Sequence, residues 1–169
     1  MSHRYRPPQP KSSPYITPEG LFTLQKESVA LWKKRVEVTV AVTAAAAEGD
    51  RSENAEYIYR KKQLREIDRR IRYLQKRLPD LKSVDRVADE HTVYFGAWVS
   101  LERENESVVR YRIVGADEID SDSSKGYISV DSPLARAMLK KQVNDEVVII
   151  IEGQKREYCI IDIAYSLDG

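Results

Sequence analysis

Cysteine is almost absent from this chain of 169 residues, and Cys159 is the only one. A single thiol excludes disulfides within the chain, and the two histidines, His3 and His91, have no partner at the spacing of a zinc-ligand set. Because Cys159 lies in the apolar run YCIIDIAY, it is predicted to be a buried structural thiol. This cysteine usage fits a reducing compartment, and we expect the protein in the cytoplasm.

Long apolar runs are also absent. No stretch approaches the roughly 20 apolar residues that a membrane-spanning helix needs. The N-terminus, MSHRYRPPQP, has no apolar core of the kind found in a signal peptide. The hydrophobic content of 41% is nevertheless enough for a modest core. A soluble globular protein without a membrane partner is therefore expected.

The usual sequence signatures of an independent enzyme are missing as well. No glycine-rich phosphate-binding loop occurs, and no candidate nucleophile has a base close to it in the sequence. The sequence therefore predicts a protein that is not itself an enzyme and has no cofactor of its own.

The chain has no overall excess of either charge, because 28 Lys and Arg residues are balanced by 27 Asp and Glu residues, for a net charge of +1. The distribution is uneven, however, and one segment with few acids is rich in bases. Its basic residues are Arg60, Lys61, Lys62, Arg65, Arg69, Arg70, Arg72, Lys76 and Arg77. Such a stripe is either a solvated face or a contact surface for nucleic-acid phosphates, and the residues alone leave both readings open.

Two long helices are predicted before residue 80. Thr17 is suited to cap a helix that begins at Pro18, since proline at the first helical position loses no hydrogen bond. Apolar residues then recur at spacings of three and four up to a turn at Gly49, and again until Pro79. The two sets are Leu21, Leu24, Leu31, Val38, Val42 and Ala45, and Tyr57, Leu64, Ile67, Ile71, Leu74 and Leu78. Residues 17–79 are thus expected to form an antiparallel coiled-coil hairpin about 40 Å long.

The remaining segments complete an α+β organisation. Residues 1–16 contain four prolines and are predicted to be a flexible N-terminal arm. The polar residues 80–91 are predicted to be a linker. Residues 92–169 hold several strand-like runs rich in Val, Ile and Tyr, interrupted by one helix-like piece from Leu134 to Lys141. The fold class predicted is α+β, with the helical hairpin followed by a small sheet domain.

The turn EGDRSENAEY places Asp50 and Glu53 at the far end of the hairpin. Carboxylates are hard oxygen ligands, and Mg²⁺ often takes one or two of them together with waters and phosphates. The pair could therefore complete a metal site that belongs to another molecule. The alternative is structural, because Ser52 could cap the second helix and acids in a first helical turn are favoured by the helix dipole.

Several long motifs resemble the bacterial Gre transcript-cleavage factors. EGDRSENAEYIYRKKQLREIDRRIRYLQKRL resembles the family's hairpin, and its basic second helix is similar to the GreB branch. FGAWVSLE, RYRIVGADEID and KGYISVDSPLARAMLKK resemble the family's C-terminal domain. The likeness runs in the same order over roughly residues 15 to 165.

The resemblance implies a monomeric transcription elongation factor that binds RNA polymerase. Its coiled coil would enter the secondary channel and make the polymerase cut backtracked RNA, while an FKBP-like domain over residues 92–169 holds the channel rim. Asp50 and Glu53 would help to hold the second Mg²⁺ of the polymerase active site. The nascent RNA 3′ segment would meet Tyr57, Arg60, Lys61, Lys62, Arg65 and Arg69. Asp131, Ser132 and Pro133 would contact the polymerase.

The sequence also allows two other functions. One is a channel-binding regulator with the same architecture that inhibits or retunes the polymerase without cleavage. The other, of a different class, is a free-standing nuclease, which would cut naked RNA.

Overall fold

The computed structural model describes residues 10–50, 53–85, 87, 89–120 and 123–166. The chain divides into a helical unit, Pro18–Leu81, and a sheet unit made of the residues up to Thr17 together with those from Lys82 onward. The α+β class predicted from the sequence is confirmed, since long helices precede a sheet domain. None of the described helices combines the length and the apolar content needed to cross a membrane.

The helical unit is an antiparallel pair. Helix α1 spans Pro18–Ala46, helix α2 spans Ala55–Arg77, and a short 3-10 turn follows at Leu78–Asp80. Arg35 Nε lies 2.6 Å from Asp68 Oδ1, and Arg70 Nε lies 2.6 Å from Glu27 Oε1. Residues later in α1 therefore contact residues earlier in α2, as in any antiparallel pair. With 29 residues, α1 is about 43 Å long.

The seam between the two helices is apolar. Val38, Ile67 and Ile71 form a buried cluster, against which Leu31, Val42 and Leu64 pack. These are the positions that the three-and-four spacing of the sequence predicted. The two ion pairs that flank the seam are partly exposed, so each contributes less than about 1 kcal/mol and serves mainly to fix the register.

The sheet unit has two short strands, β1 (Tyr15–Ile16) and β2 (Lys82–Ser83), and five longer ones. The longer strands are β3 (Trp98–Arg103), β4 (Val108–Val114), β5 (Tyr127–Ser129), β6 (Glu146–Ile151) and β7 (Gln154–Ala164). They form one sheet in the order β5-β4-β3-β7-β6. All neighbours are antiparallel except β4 and β5, which are parallel. Helix α3, Pro133–Met138, is shorter than the segment predicted from Leu134 to Lys141.

One face of this sheet carries the core. Val99 and Leu101 of β3 and Ile160 of β7 are fully buried, and Ala135 and Met138 of α3 belong to the same cluster. The alternation typical of a half-buried strand explains why Cys159, next to Ile160, is only half-buried. The prediction of a buried thiol is therefore wrong in degree, because Cys159 pairs with Glu102 and Glu146 in the ladder and shares their side of the sheet.

The segment before α1 differs from the flexible arm predicted for residues 1–16. Residues 1–9 lie outside the described part of the chain, but Tyr15–Ile16 form strand β1, which pairs in parallel with strand β2, Lys82–Ser83. Ile16 is completely buried. Strand β2 lies within residues 80–91, the predicted linker. A strand of two residues has no periodicity that a sequence pattern could reveal.

Glu118 fixes the residue that precedes α1. Its Oε2 accepts hydrogen bonds from the backbone N–H groups of Thr17, at 3.1 Å, and Gly115, at 2.7 Å. The Thr17 hydroxyl donates to Oε1 of the same carboxylate. A Cβ at Gly115 would lie 2.2 Å from the Tyr15 carbonyl oxygen, so only glycine fits beside β1.

Candidate functional site: an acidic tip, a basic stripe and a docking segment

The tip loop comprises residues 47–54, between the end of α1 and the start of α2. The N–H groups of Ala47 and Glu48 donate back to α1, to the carbonyls of Ala44 and Ala45. Gly49 then adopts a φ of +136°, a conformation that L side chains rarely take. The chain therefore turns at Gly49, as the sequence predicted, and Asp50 follows directly, exposed to solvent.

Asn54 closes the base of the tip loop. Its Oδ1 accepts a hydrogen bond from the Tyr57 N–H at 3.0 Å, which caps α2. Its Nδ2 donates to the carbonyl of Ala45 at 2.8 Å, which ties the start of α2 to the end of α1. The cap considered in the sequence, Ser52, lies outside the described residues. Asn54 is an equally good cap by residue type, so this signal was present in the sequence.

The Asn54 cap shows that Asp50 and Glu53 lie outside α2. Both acids precede Asn54 and are exposed, so neither belongs to the first turn of α2. The acid in that turn is Glu56, whose Oε1 lies 2.8 Å from Arg60 Nε. The explanation by the helix dipole therefore applies to Glu56, which lies in that turn, and not to Asp50 or Glu53, which precede it.

The two tip acids fit a shared magnesium ion by the chemistry of their donors. They offer two exposed carboxylates, the number that Mg²⁺ commonly takes when waters and phosphates fill its other positions. Within the described ranges no group of three or more metal-binding side chains occurs. Asp50 and Glu53 are the residues of this chain that would hold such an ion.

The structure divides the basic residues of α2 into two sets. The first set, here called the basic stripe, recurs at spacings of three and four, is exposed throughout and lies away from the seam. Its members are Lys62, Arg65, Arg69, Arg72 and Lys76. Neighbouring like charges at these spacings destabilise a helix by about 0.2–0.5 kcal/mol per pair. Glu66, exposed four residues after Lys62 and three before Arg69, offsets part of this repulsion, and a bound polyanion would relieve the remainder.

The second set is engaged within the protein. Arg60 pairs with Glu56, donates to Gln63 Oε1 at 3.1 Å and lies 5.4 Å from the centre of the Tyr59 ring. Arg70 forms a two-bond ion pair with Glu27. Of the residues predicted to meet RNA, Lys62, Arg65 and Arg69 belong to the stripe, whereas Tyr57 and Lys61 are half-buried beside it.

The segment predicted to contact the polymerase, here called the docking segment, is Asp131, Ser132 and Pro133, which follow β5 and lead into the first residue of α3. The Ser132 hydroxyl caps α3 by accepting a hydrogen bond from the Ala135 N–H at 3.2 Å, and Pro133 occupies the first turn, exposed. The sequence predicted both features. Asp131 is half-buried, and its N–H donates to the Ser129 hydroxyl at 3.1 Å.

Sequence reasoning missed one residue that touches the docking segment. Ser13 donates from its backbone N–H to Asp131 Oδ2 at 2.9 Å and from its hydroxyl to Oδ1. The two residues are 118 positions apart. No pattern in one sequence connects residues at that distance, so the contact is found only in the folded chain.

Comparisons with known proteins agree with the motifs. The family model "Transcription elongation factor, GreA/GreB, C-term" matches residues 88–165, and "Transcription elongation factor, N-terminal" matches residues 14–82. A relative from Pseudomonas aeruginosa named transcription elongation factor GreB is 52% identical over 96% of this chain and 96% of its own. A second, from Xanthomonas axonopodis pv. citri with the same name, is 53% identical over 96% of this chain and 98% of its own.

Among solved structures, the GreA factor homolog 1 of Thermus thermophilus aligns with a TM-score of 0.40 at 20% identity, covering 89% of this chain and 97% of that one. The family models together cover most of the chain, and the two relatives are more than half identical over nearly its whole length. This chain therefore belongs to the GreA/GreB family of transcription elongation factors.

Proposed function

We propose that this elongation factor binds RNA polymerase in its secondary channel and stimulates the polymerase's own cleavage of backtracked RNA. The observation that carries the proposal is the position of Asp50 and Glu53. Both acids lie in the tip loop ahead of the Asn54 cap, and both are exposed. Exposed acids at the end of a long hairpin suit a site that is completed by another molecule.

The tip loop keeps both acids at one end of the hairpin because its ends are joined. The Gly49 turn and the Asn54 bond to the Ala45 carbonyl hold the two helix ends beside each other, so the acids stay at one end of the hairpin. A magnesium ion held there would supply a bound water of lowered pKa as the attacking group. Asp50 and Glu53 would hold the ion, and the polymerase would provide the rest of the site.

The basic stripe serves the same reaction by contacting the RNA. Its five exposed cations meet phosphates of the RNA 3′ segment, an interaction that needs no base-specific contact. The docking segment serves attachment: Asp131 offers a carboxylate to the polymerase, and Pro133 gives the segment a fixed shape. The factor contributes ligands and position to a reaction of the polymerase in the cytoplasm, and is not an enzyme alone.

The test is RNA cleavage in stalled elongation complexes with and without the protein. Wild type is expected to accelerate cleavage, and Asp50→Asn or Glu53→Gln to reduce that stimulation by about 10- to 100-fold, the usual scale for perturbed metal sites. Glu56→Gln is the matched control, since it removes a nearby carboxylate that lies in α2. Polymerase binding of all three variants, measured in parallel, should equal that of wild type.

The same assay separates the alternatives. A protein that binds stalled complexes but leaves cleavage unchanged or slower would be a channel regulator. A protein that cuts naked RNA without polymerase would be a nuclease. Either result would contradict the proposed function.

A further inference from the structure

Ser13 holds both oxygens of one carboxylate in the docking segment. Its backbone N–H donates to Asp131 Oδ2 at 2.9 Å, and its hydroxyl donates to Asp131 Oδ1. Hydrogen bonds to an ionised acceptor are the strong ones among protein hydrogen bonds. Because the two donors belong to one residue and reach two oxygens, they fix the plane of the carboxylate as well as its position.

Ser13 is itself held firmly by the residues that follow it. The Pro14 carbonyl accepts from the Lys82 N–H at 2.8 Å, and the Ile16 carbonyl accepts from the Val84 N–H at 2.9 Å. Ile16 is completely buried, and the Tyr15 ring centre lies 6.1 Å from that of Phe95. The donors of Ser13 are therefore fixed on the sheet unit before any partner binds.

Asp131 is held from its backbone side too. Its N–H donates to the Ser129 hydroxyl, and the next residue, Ser132, is fixed by capping α3. A carboxylate has two acceptor oxygens, and because Ser13 bonds to both, it sets the orientation of the Asp131 side chain. A group that is already oriented binds its partner with less loss of side-chain freedom.

We infer that Ser13 is a positioning residue of the polymerase-docking surface, where it holds the Asp131 carboxylate in the orientation that receives an Arg, Lys or N–H donor of the polymerase. The inference rests on the proposed function, because it requires the docking segment to contact polymerase. It makes the N-terminal segment around Ser13 part of that surface.

The test compares three single variants of the full chain in the cleavage assay. Ser13→Ala removes the hydroxyl donor, Ser13→Thr keeps one, and Ser107→Ala is the matched control, since the Ser107 hydroxyl also donates to a side-chain oxygen of the sheet unit, that of Asn105 at 2.5 Å. Ser13→Ala is expected to raise the protein concentration for half-maximal cleavage by roughly three- to tenfold, with an unchanged rate at saturation. Ser13→Thr and Ser107→Ala should match wild type in this concentration, whereas Ser13→Ala should melt a few degrees lower because it loses one hydrogen bond, a loss that Ser13→Thr restores.

A double variant adds an affinity measurement that distinguishes positioning of Asp131 from a purely structural role of Ser13. Because Ser13 acts through Asp131, Ser13→Ala in an Asp131→Ala background should cause no further loss of affinity. The inference is overturned if Ser13→Ala binds the polymerase as wild type does or more tightly, or if it lowers the cleavage rate at saturation. It is also overturned if Ser13→Ala loses both affinity and melting temperature and Ser13→Thr does not restore them. If Asp131→Ala itself binds normally, the docking role in the proposed function has failed instead.

Discussion

The helical unit and the sheet unit bury apolar surface to different extents. In the sheet unit, Leu101 and Ile160 are fully buried beneath one face of a five-stranded sheet. In the helical unit, the seam offers each helix only one buried face, and α1 leaves a second set of apolar residues exposed. This set includes Phe22, Val29, Val36 and Val40. The hairpin therefore has a thin core, and most of its surface remains open to solvent.

The candidate sites follow the same division. The tip acids and the basic stripe lie exposed on the helical unit, where changing them disturbs little packing. In the docking segment Asp131 and Ser132 are half-buried, and the Asp131 carboxylate is bonded to Ser13, 118 positions earlier in the sequence. The proposed chemistry and the proposed attachment thus lie on two units that differ in burial, and substitutions should separate them.

The largest effects on stability are expected in the sheet unit. Leu101→Ala should lower the free energy of unfolding by about 2–5 kcal/mol, because it opens a cavity in a fully buried core. In the seam, Val38→Ala removes less volume and should cost about 1–2 kcal/mol. Urea unfolding followed by circular dichroism measures both.

A matched control for the seam lies two residues away on the same helix. Val36 is 65% exposed and Val38 only 3%, so Val36→Ala, the identical chemical change, should alter stability by less than about 0.5 kcal/mol. Equal losses from Val36→Ala and Val38→Ala would contradict the assignment of a single buried face.

A smaller effect is expected from the basic stripe. Replacing Lys62, Arg65 and Arg69 with Ala should weaken action on long backtracked RNA, and the loss should shrink as salt rises, because phosphate contacts release counterions. Three lost contacts to single-stranded RNA would reduce the slope of log affinity against log salt by about 2. Half-maximal factor concentrations measured over a salt series give this slope.

The control for the stripe removes the same charge from the other helix. Lys26, Lys33 and Lys34 are exposed on α1, so their replacement with Ala changes the net charge of the hairpin equally. If both triple variants lose the same salt dependence, general charge and not the stripe on α2 attracts the RNA.

Much of the helical unit could be predicted from sequence because its contacts are periodic or local. The seam positions follow a spacing of three and four residues, and the Gly49 turn depends on a single residue type with a known backbone preference. In the sheet unit, the Ser132 cap of α3 was predictable on the same ground. Asn54 could also have been predicted as the cap of α2 from its residue type, but Ser52, two residues earlier, is an equally suitable type.

The parts that sequence did not predict depend on pairs far apart in the chain. Strands β1 and β2 have two residues each and pair across more than sixty positions. The Ser13 contact with Asp131 is similar, since serine in a proline-rich segment is typical of an irregular arm. Such contacts are decided by tertiary packing, and local preference carries no information about them.

Asp50 and Glu53 are proposed to help hold magnesium in the polymerase. The most direct test is the Mg²⁺ dependence of stimulated cleavage at saturating factor, for wild type, Glu53→Gln, Asp50→Asn and the control Glu56→Gln. If the tip acids are ligands, both tip variants need a higher Mg²⁺ concentration for half-maximal cleavage, while Glu56→Gln follows wild type. An identical Mg²⁺ dependence in all four proteins would contradict the claim.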